Sequence, residues 1–390
     1  MRGFSRGKDR RGKQMEDAFA MPPLVVGDLR VDLPIVQGGM SVGISLSGLA
    51  SAVAREGGVG VIGTAGIGML EPDGYQRPRE ANLRALRKEI RRAKELSGGR
   101  GAIGTNILVA LSDFEDLLRV SVEEGADMVF MGAGLPMKVP SMFGEGFAAV
   151  RTKFVPIVSS GRAAALIFKS WAKSHGVIPD AVVVEGPMAG GHLGFSREEL
   201  KAPPKLEDLV LQVIEAVKPF EDLFGRKVPV IAAGGIYTGE DIYRFLKLGA
   251  SAVQMATRFV VTHECDADLR FKEEYLRSRE EDVVIIDSPV GLPGRAIRNA
   301  FLEAVERGEK KPFSCPWKCL RTCDHQKAPY CIAMALTSAK LGKLEMGFAF
   351  AGQNCFRVDR IVSVKELIDE LREGYRRAAM ADQPLSELTR

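Results

Sequence analysis

Short apolar runs alternate with longer amphipathic stretches along most of the chain. Glycine, proline or charged residues bound the apolar runs, which is typical of strands buried in a parallel sheet. The stretches between them have the apolar spacing of helices that cover such a sheet. The alternation therefore predicts repeated strand–helix units. The predicted strands cover residues 34–36, 59–62, 102–106, 128–131, 155–158, 181–184, 228–232 and 252–255.

Helices are predicted between most of these strands. Ser45 is a good N-cap for the first of them, and Ser112 precedes the third. Eight strand–helix repeats over about 230 residues match a closed (β/α)8 barrel, so the predicted fold class is α/β, a TIM barrel. A doubly wound open sheet is the alternative, but such sheets usually contain fewer strands. The predicted helices cover residues 46–55, 80–96, 113–124, 163–174, 206–217 and 239–248, with a weaker candidate over 142–150.

The regular alternation ends after the eighth predicted strand. Residues 288–297 are rich in proline and glycine and run into a helix, which indicates a lid or cap over the barrel mouth. An amphipathic helix over residues 364–379 is predicted to close the outer ring of the barrel. The predicted domains are a basic, disordered tail over residues 1–24, the barrel over 25–260, the lid with a cysteine-rich insertion over 261–355, and a C-terminal helical segment over 356–390.

The composition is that of a globular protein with a sizeable core, since 46% of the 390 residues are hydrophobic and 27% are charged. The formal net charge of +4 is too small and too scattered to indicate nucleic-acid binding. No apolar stretch approaches the roughly 20 residues that span a membrane. No apolar region follows the basic N-terminal residues, so a secretory signal is not expected. Six cysteines without such a signal suggest a reducing compartment, and we expect a cytoplasmic location.

The most informative segment is Glu-Gly-Pro-Met-Ala-Gly-Gly-His-Leu-Gly at residues 185–194. It places His192 just past the carboxyl end of the sixth predicted strand, where α/β barrels hold their reacting groups. Gly190 and Gly191 allow a flat ligand to approach the backbone. An imidazole in that position can exchange a proton near neutral pH. The alternative is a turn whose histidine is only solvated or caps a helix.

Two further strand ends predict a phosphate site. Gly234 and Gly235 follow the seventh strand, and Ala256, Thr257 and Arg258 follow the eighth. Free backbone N–H groups at such turns bind phosphate, and barrels often bind it after these two strands. Thr257 can add a hydroxyl donor and Arg258 a charge. The alternative is a pair of tight loops without a ligand.

The segment Gly-Val-Gly-Val-Ile-Gly at residues 58–63 formally matches the dinucleotide-binding fingerprint. Its glycines lie within an apolar strand and not in a turn that opens a helix, so we reject that interpretation. It is predicted to be a glycine-rich second strand of the barrel.

The ends of the first and third strands complete a predicted pocket. Gly38, Gly39 and Met40 offer a backbone that a ligand can approach closely. Asn106 offers an amide that both donates and accepts, which suits the polar edge of a heterocycle. Each of these residues can equally be structural. With the phosphate site, they outline a pocket for a flat, phosphorylated cofactor such as FMN.

Taken together, residues 34–40, 106, 190–194, 233–236 and 257–259 resemble the nitronate monooxygenase family, formerly called 2-nitropropane dioxygenases. That family includes the flavin-dependent enoyl-acyl-carrier-protein reductase II. The resemblance covers residues from about 30 to 300, and its motifs occur in order. It implies a TIM barrel that binds FMN non-covalently, with a lid after the eighth strand.

The resemblance also implies a role for each matching residue. His192 corresponds to the active-site histidine, which handles protons or positions the substrate. Asn106 would form hydrogen bonds with the flavin ring system. The residues that would lie along or flank the flavin are Gly38, Gly39, Met40, Gly190 and Gly191, and those that would hold its phosphate are Gly234, Gly235, Ala256 and Thr257.

Two departures from the family's pattern bear on function. The family usually has Glu-Ala or Glu-Ser directly before Gly-Gly-His. In this chain Pro187 and Met188 follow Glu185 and Gly186, and Ala189 directly precedes the two glycines, so the usual acid is lacking there. The site is therefore expected to differ in substrate or ion binding. Ala256 replaces the common glycine before Thr-Arg-Phe, but its N–H group is retained, so phosphate binding should survive.

Four of the six cysteines, Cys315, Cys319, Cys323 and Cys331, lie in one short window together with His325. Thiolates at that density can bind an iron–sulfur cluster or zinc. Their spacing matches neither the common ferredoxin run nor a double C-x2-C zinc pattern. On a helix the first three would share a face, so a buried apolar stripe is the alternative. A cluster would suit the transfer of electrons to a flavin.

Three functions are compatible with these motifs. The first is a nitronate monooxygenase, which uses oxygen to cleave an alkyl nitronate to a carbonyl compound and nitrite. The second is a reductase that uses NAD(P)H and FMN to reduce an enoyl thioester or a quinone-like acceptor. The third, a non-catalytic flavin- or metal-binding module, is disfavoured by the intact His192 turn. We place nitronate oxidation narrowly first, because the activity for which the family is named accounts best for the motifs. The sequence does not determine the oligomeric state, and a homodimer is possible.

Overall fold

The computed structural model describes residues 19–309, 315 and 317–383, so most of the predicted N-terminal tail lies outside the described residues. The first two strands, β1 (Leu24–Val26) and β2 (Leu29–Val31), form an antiparallel hairpin that the sequence pattern did not predict. The apolar side chains of the hairpin pack in one cluster with side chains that point into the barrel. Asp28 in its turn forms an ion pair with Lys153 at the start of a barrel strand. The hairpin therefore closes the N-terminal end of the barrel.

Eight parallel strands form a closed barrel, which confirms the predicted TIM-barrel fold. Neighbouring strands of the barrel follow one another in the chain, and the last pairs with the first, with Gln254 opposite Val36. Apolar residues bury the strands on both faces, as expected of a parallel sheet. The barrel strands are β3 (Ile35–Gln37), β4 (Val59–Gly63), β5 (Ala102–Leu108), β6 (Met128–Gly132), β7 (Lys153–Val158), β8 (Val182–Glu185), β10 (Val230–Ala233) and β11 (Ala252–Met255), and the short β9 (Gly191–His192) lies outside the barrel.

Helices cover the outside of the barrel between most of the strands. The helix after β10 begins at a capping box, in which Thr238 and Asp241 bond each other's backbone. Residues 142–150 form no α-helix but two 3-10 segments, Pro140–Met142 and Gly144–Ala149, because glycine lowers helix propensity there. The barrel helices are α1 (Ser47–Arg55), α2 (Pro78–Ser97), α3 (Phe114–Glu123), α4 (Gly161–His175), α5 (Leu206–Phe224) and α6 (Gly239–Leu248).

The predicted N-cap of α1 is wrong. The hydroxyl of Ser45 accepts a hydrogen bond from the N–H of Met40 at 2.8 Å and donates one to its carbonyl oxygen at 3.2 Å. Ser45 therefore braces the loop after β3, and the helix begins two residues later. The orphan N–H groups of Leu46 and Leu49 are satisfied instead by the Asp266 carboxylate, which lies far away in the chain.

After β11 the chain forms the predicted lid. Its sheet contains β12 (Val283–Asp287), β13 (Pro293–Ile297) and β9, so the His192 turn belongs to the lid's sheet as well as to the barrel mouth. A separate apolar core, which includes Phe301, Tyr330 and Phe348, stabilises this region. The lid helices are α7 (Thr257–Val260), α8 (Leu269–Arg277), α9 (Ala300–Glu306) and α10 (Ile332–Lys340).

The last described helix, α11 (Val364–Ala381), packs against α6 and so belongs to the outer ring, as predicted. Arg377 pairs with Glu240 of α6 at 2.8 Å, and the buried face of α11 includes Leu367, Ile368 and Leu371. None of the helices in the described ranges is long and apolar enough to cross a membrane.

Candidate active site

A cavity of about 960 Å³ lies at the carboxyl ends of the barrel strands, beneath the lid. Because parallel strands in a barrel all end at one mouth, residues that are far apart in the chain meet there. The cavity is lined by every residue that the sequence predicted for catalysis or cofactor binding, namely Gly38, Gly39, Met40, Asn106, Gly190, Gly191, His192, Gly234, Gly235, Ala256 and Thr257.

Hydrogen bonds hold the loops after β8, β10 and β11 together with the lid. The Gly186 N–H donates to the Ala233 carbonyl at 2.8 Å. The Asn354 side chain donates to the Gly235 carbonyl at 2.7 Å, and the Gln353 N–H donates to the Met188 carbonyl at 3.0 Å. The two glycine pairs therefore lie at the same end of the barrel, as a common ligand site requires.

The turn after β10 presents its backbone to the cavity. Gly234 and Gly235 have φ angles of 97° and 86°, a region in which side chains other than glycine are strained. Within the described residues, the N–H groups of Gly235 and Thr257 donate no hydrogen bond. Two such N–H groups at the rim of one cavity can bind an anionic oxygen.

Arg258 does not add charge to this site, which corrects the expectation from the sequence. The Arg258 side chain is buried away from the cavity, donates to Glu370 at 2.8 Å, and lies over the ring of Tyr237 at 4.6 Å. Its guanidinium thus anchors α11 to the end of β11.

Asn106 lies at the mouth between β5 and the loop after β3. Its Nδ2 donates to the Gly39 carbonyl at 3.1 Å, while its buried Oδ1 has no hydrogen-bond partner among the described residues. A buried amide oxygen without a partner costs free energy, so the atom is suited to accept a hydrogen bond from a bound ligand.

His192 is held on three sides. It stands opposite Gly294 in the pairing of β9 with β13, and its Nε2 lies 2.7 Å from the Ser288 hydroxyl. The ring of Phe350 packs edge-on against the imidazole, with 5.0 Å between ring centres. Burial lowers the pKa of His192 to about 4, because the charged form loses its hydration. At neutral pH the imidazole is therefore uncharged.

Glu185 is a cavity residue whose importance the sequence did not reveal. It is the last residue of β8 and lines the same cavity as His192. Burial raises the pKa of its carboxyl group to about 7. The sequence showed an acidic residue directly at the end of a strand. It could not show that burial raises the pKa of this carboxyl group.

Arg295 is a second residue that sequence reasoning missed. Its buried guanidinium donates to the carbonyl oxygens of Pro187 and Ala189, both at 2.6 Å. Burial lowers the pKa of Arg295 to about 10, so the side chain remains charged at neutral pH. It fixes the loop in which Pro187 and Met188 replace the family's usual residues. No pattern in the sequence links Arg295 to that loop.

The cysteine-rich segment adopts no helix in its described residues, so the apolar helical stripe considered from the sequence is wrong. Cys315, Cys319, Cys323 and Cys331 instead line a second cavity of about 320 Å³. All four thiols are free. Among the described residues, no three His, Cys, Asp or Glu side chains form a group that can hold a single metal ion.

Comparison with known proteins agrees with the resemblance. The model of the nitronate monooxygenase family matches residues 24–374. A Mycobacterium tuberculosis protein named (3aS,4S,5R,7aS)-5-hydroxy-7a-methyl-1-oxo-octahydro-1H-indene-4-carboxyl-CoA dehydrogenase is 26% identical over 72% of this chain and 67% of its own length. A probable nitronate monooxygenase of Staphylococcus saprophyticus is 27% identical over 71% and 79%. The structure of FabK from Thermotoga maritima superposes with a TM-score of 0.68 at 29% identity, covering 90% of this chain and 95% of FabK.

Proposed function

This chain belongs to the nitronate monooxygenase family and is an oxidoreductase, and we propose that it uses FMN as its cofactor. The observation that carries the proposal is the convergence of all the predicted cofactor residues on one cavity at the barrel mouth. Membership of the family supports it, because the resemblance to that family implies a non-covalently bound FMN.

The chain's own atoms fit such a cofactor. The partnerless Oδ1 of Asn106 would accept a hydrogen bond from the ring system. The N–H groups of Gly235 and Thr257 would hold the phosphate. When bound, FMN supplies the transfer of electrons or hydride to or from the substrate.

His192 and Glu185 are proposed to act on the substrate. A neutral imidazole carries one N–H group, which can donate a hydrogen bond to a carbonyl or nitro oxygen. The Ser288 hydroxyl orients the ring, and Phe350 limits its rotation. Glu185 can hold or release a proton near neutral pH, since the pKa of its carboxyl group is about 7.

Two substrate classes follow from the family. Oxidation of alkyl nitronates with oxygen is the activity for which the family is named. Reduction of an enoyl thioester or a quinone-like acceptor, with NAD(P)H as electron donor, is the alternative. A volume of about 960 Å³ is at the upper end for a small-molecule site, so a second sizeable ligand fits beside a cofactor. The remaining wall is largely apolar, with Met69, Leu111, Trp317 and Leu336.

This apolar wall favours the thioester over a short alkyl nitronate. The M. tuberculosis relative is named as a dehydrogenase of a carboxyl-CoA compound, which supports a thioester substrate although the name specifies the oxidising direction. The thioester is therefore the better supported of the two substrate classes, and reduction of an enoyl thioester is the reaction proposed for it.

Three measurements on the purified protein test the proposal. We expect FMN to co-purify, NADH or NADPH to bleach the flavin without oxygen, and an enoyl-CoA to restore its colour. Oxygen consumption with propyl-2-nitronate, and no response to either nicotinamide, would support nitronate oxidation instead. A folded protein that is colourless and does not take up added FMN would contradict both activities.

Variants test the role of His192 in turnover. The His192→Ala protein should retain FMN and lose turnover by a factor on the order of 10²–10⁴, as expected for the loss of a group that acts on the reacting atoms. His175→Ala, at the exposed C-terminal end of α4, is the matched control and should turn over like the wild type. Unchanged turnover of His192→Ala would remove this histidine from the mechanism.

A further inference from the structure

The second cavity, about 320 Å³ in volume, is lined by four thiols that the flavin chemistry does not use. Cys315, Cys319, Cys323 and Cys331 lie up to 16 residues apart in the chain, and the fold brings them together around this one cavity. Thiols that bind a metal do so as thiolates and lose their protons on binding.

The chain fixes the position of this cysteine segment. The carbonyl oxygens of Lys318 and Cys319 accept hydrogen bonds from the hydroxyl and the N–H of Ser112, at 2.9 and 3.0 Å. The Arg321 N–H donates to the Ala110 carbonyl at 3.0 Å. Leu320 forms a bridge with Leu111, in the loop after β5. The thiols are thus held against the barrel mouth by backbone pairing with a barrel loop.

Tyr330 is a second, independent observation that points to a ligand in this cavity. Its side chain lines the thiol cavity and is only 5% exposed. Its buried hydroxyl has no hydrogen-bond partner among the described residues. Because an unpaired buried hydroxyl is costly, a hydrogen-bond acceptor bound in the cavity that Tyr330 lines would stabilise the folded protein. Sulfur atoms of a bound group would supply that acceptor.

The arrangement of the thiols fits a cluster better than a single ion. A tetrahedral zinc ion requires four sulfurs about 2.3 Å from one point, and no three of the thiols converge in that way. An iron–sulfur cluster is bound by four thiolates at its corners, so its ligands surround a volume. Lys318 and Arg321 also line the cavity and can offset the negative charge of such a group.

We propose that Cys315, Cys319, Cys323 and Cys331 bind an iron–sulfur cluster. Lys318, Cys319, Leu320 and Ile332 line both the thiol cavity and the main cavity, so the wall between the two is one residue thick. The cluster would therefore lie directly beside the group that occupies the main cavity. The binding of a cluster needs no flavin, so this proposal and the proposed function can fail separately.

The test uses the full-length protein, purified without oxygen and reconstituted with ferrous iron and sulfide. We expect iron and acid-labile sulfide in equal amounts, and an electron paramagnetic resonance signal after reduction. Cys319→Ser and Cys323→Ser should each lower both contents by a factor on the order of ten or more, because each removes a ligand. Cys265→Ser removes a buried thiol outside the cavity and is the matched control, with unchanged iron.

Circular dichroism and FMN content, measured on the same samples, separate loss of the cluster from loss of the fold. Iron-free Cys319→Ser protein that keeps its helicity and its flavin is the expected result. Bound zinc without iron, disulfide bonds among the four cysteines, or equal iron in wild type and both serine variants would overturn the proposal. Iron and sulfide in a protein without FMN would support the cluster and contradict only the proposed cofactor.

Discussion

The imidazole of His192 has little freedom to move, since Ser288, Phe350 and the β9–β13 pairing all restrain it. Ser288 can affect the reaction without touching the substrate, because it fixes the position of the His192 imidazole. A small misplacement of a reacting group can slow a reaction strongly. We predict that Ser288→Ala keeps FMN and lowers kcat by a factor on the order of ten, with a smaller change in KM. Steady-state kinetics with Ser174→Ala, an exposed serine, as control would check this; an unaltered kcat would contradict the positioning role.

The carboxyl group of Glu185 makes stability depend on pH. Burial raises its pKa from 4.5 to about 7, so the folded protein keeps a proton that the unfolded chain loses in this range. Stability from this group is therefore fully present below about pH 4.5 and is lost as the pH rises towards 7. His192 acts in the opposite sense, because its pKa falls from 6.5 to about 4 and stability is lost as the pH falls through that window.

The substitution Glu185→Gln removes the pH-dependent contribution of the Glu185 carboxyl group to stability. The variant should be more stable than the wild type at about pH 8, by on the order of 1–3 kcal/mol, because it never buries a charge there. At about pH 5 the two proteins should be nearly equal. Urea unfolding at both pH values measures the difference. A variant equally or less stable at the higher pH would show that Glu185 is not buried as a charge.

The second barrel strand depends on its glycines for packing and not for ligand binding. A Cβ added to Gly60 would lie 1.8 Å from the carbonyl oxygen of Ala50 in α1. We predict that Gly60→Ala destabilises the protein by about 3 kcal/mol or more, because backbone must move. Gly98→Ala, at the end of α2, meets no atom within 4 Å and should cost only about 1 kcal/mol through its positive φ. Equal thermal stabilities of the two variants would contradict this packing account.

The elements themselves were largely predictable, because burial in a parallel sheet leaves a local record. Val182, Val183 and Val184 are buried on both faces of β8 and appear in the sequence as one apolar run. The start of α1 was not predictable, since Asp266, which caps its free N–H groups, lies 220 residues from Leu46. The helix considered for the cysteine segment is not formed, for a related reason. Backbone pairing of that segment with the loop after β5 overrides the helical spacing of its cysteines.

In the candidate site too, the sequence predicts what depends on local pattern and misses what depends on residues far away in the chain. Its glycines, Asn106 and His192 were predictable because each lies at the carboxyl end of a barrel strand, and the topology brings these ends together. Ser288 and Arg295 were not, because their partners, His192 and Pro187, lie 96 and 108 residues away in the chain. Residues that position other residues leave no pattern of their own in a single sequence.

The candidate site joins the barrel to the lid and to the chain that follows the lid. The loops after β8 and β10 come from the barrel, whereas Arg295 and Asn354 reach them from the lid and from the chain that follows it. A ligand that contacts the barrel loops therefore also depends on the lid for the shape of its site. Such a ligand binds only the folded protein and must stabilise it by mass action.

FMN should therefore raise the free energy of unfolding, by about 2.7 kcal/mol when its concentration is a hundred times its Kd. The proposed phosphate contacts, at the N–H groups of Gly235 and Thr257, sharpen this prediction. Riboflavin has the same ring system but no phosphate, so at equal concentration it should stabilise the flavin-free protein clearly less. Thermal unfolding with each ligand measures the difference. Equal stabilisation by both would contradict the phosphate site, and the bound ring would then have to be held by Asn106 and its neighbouring loops alone.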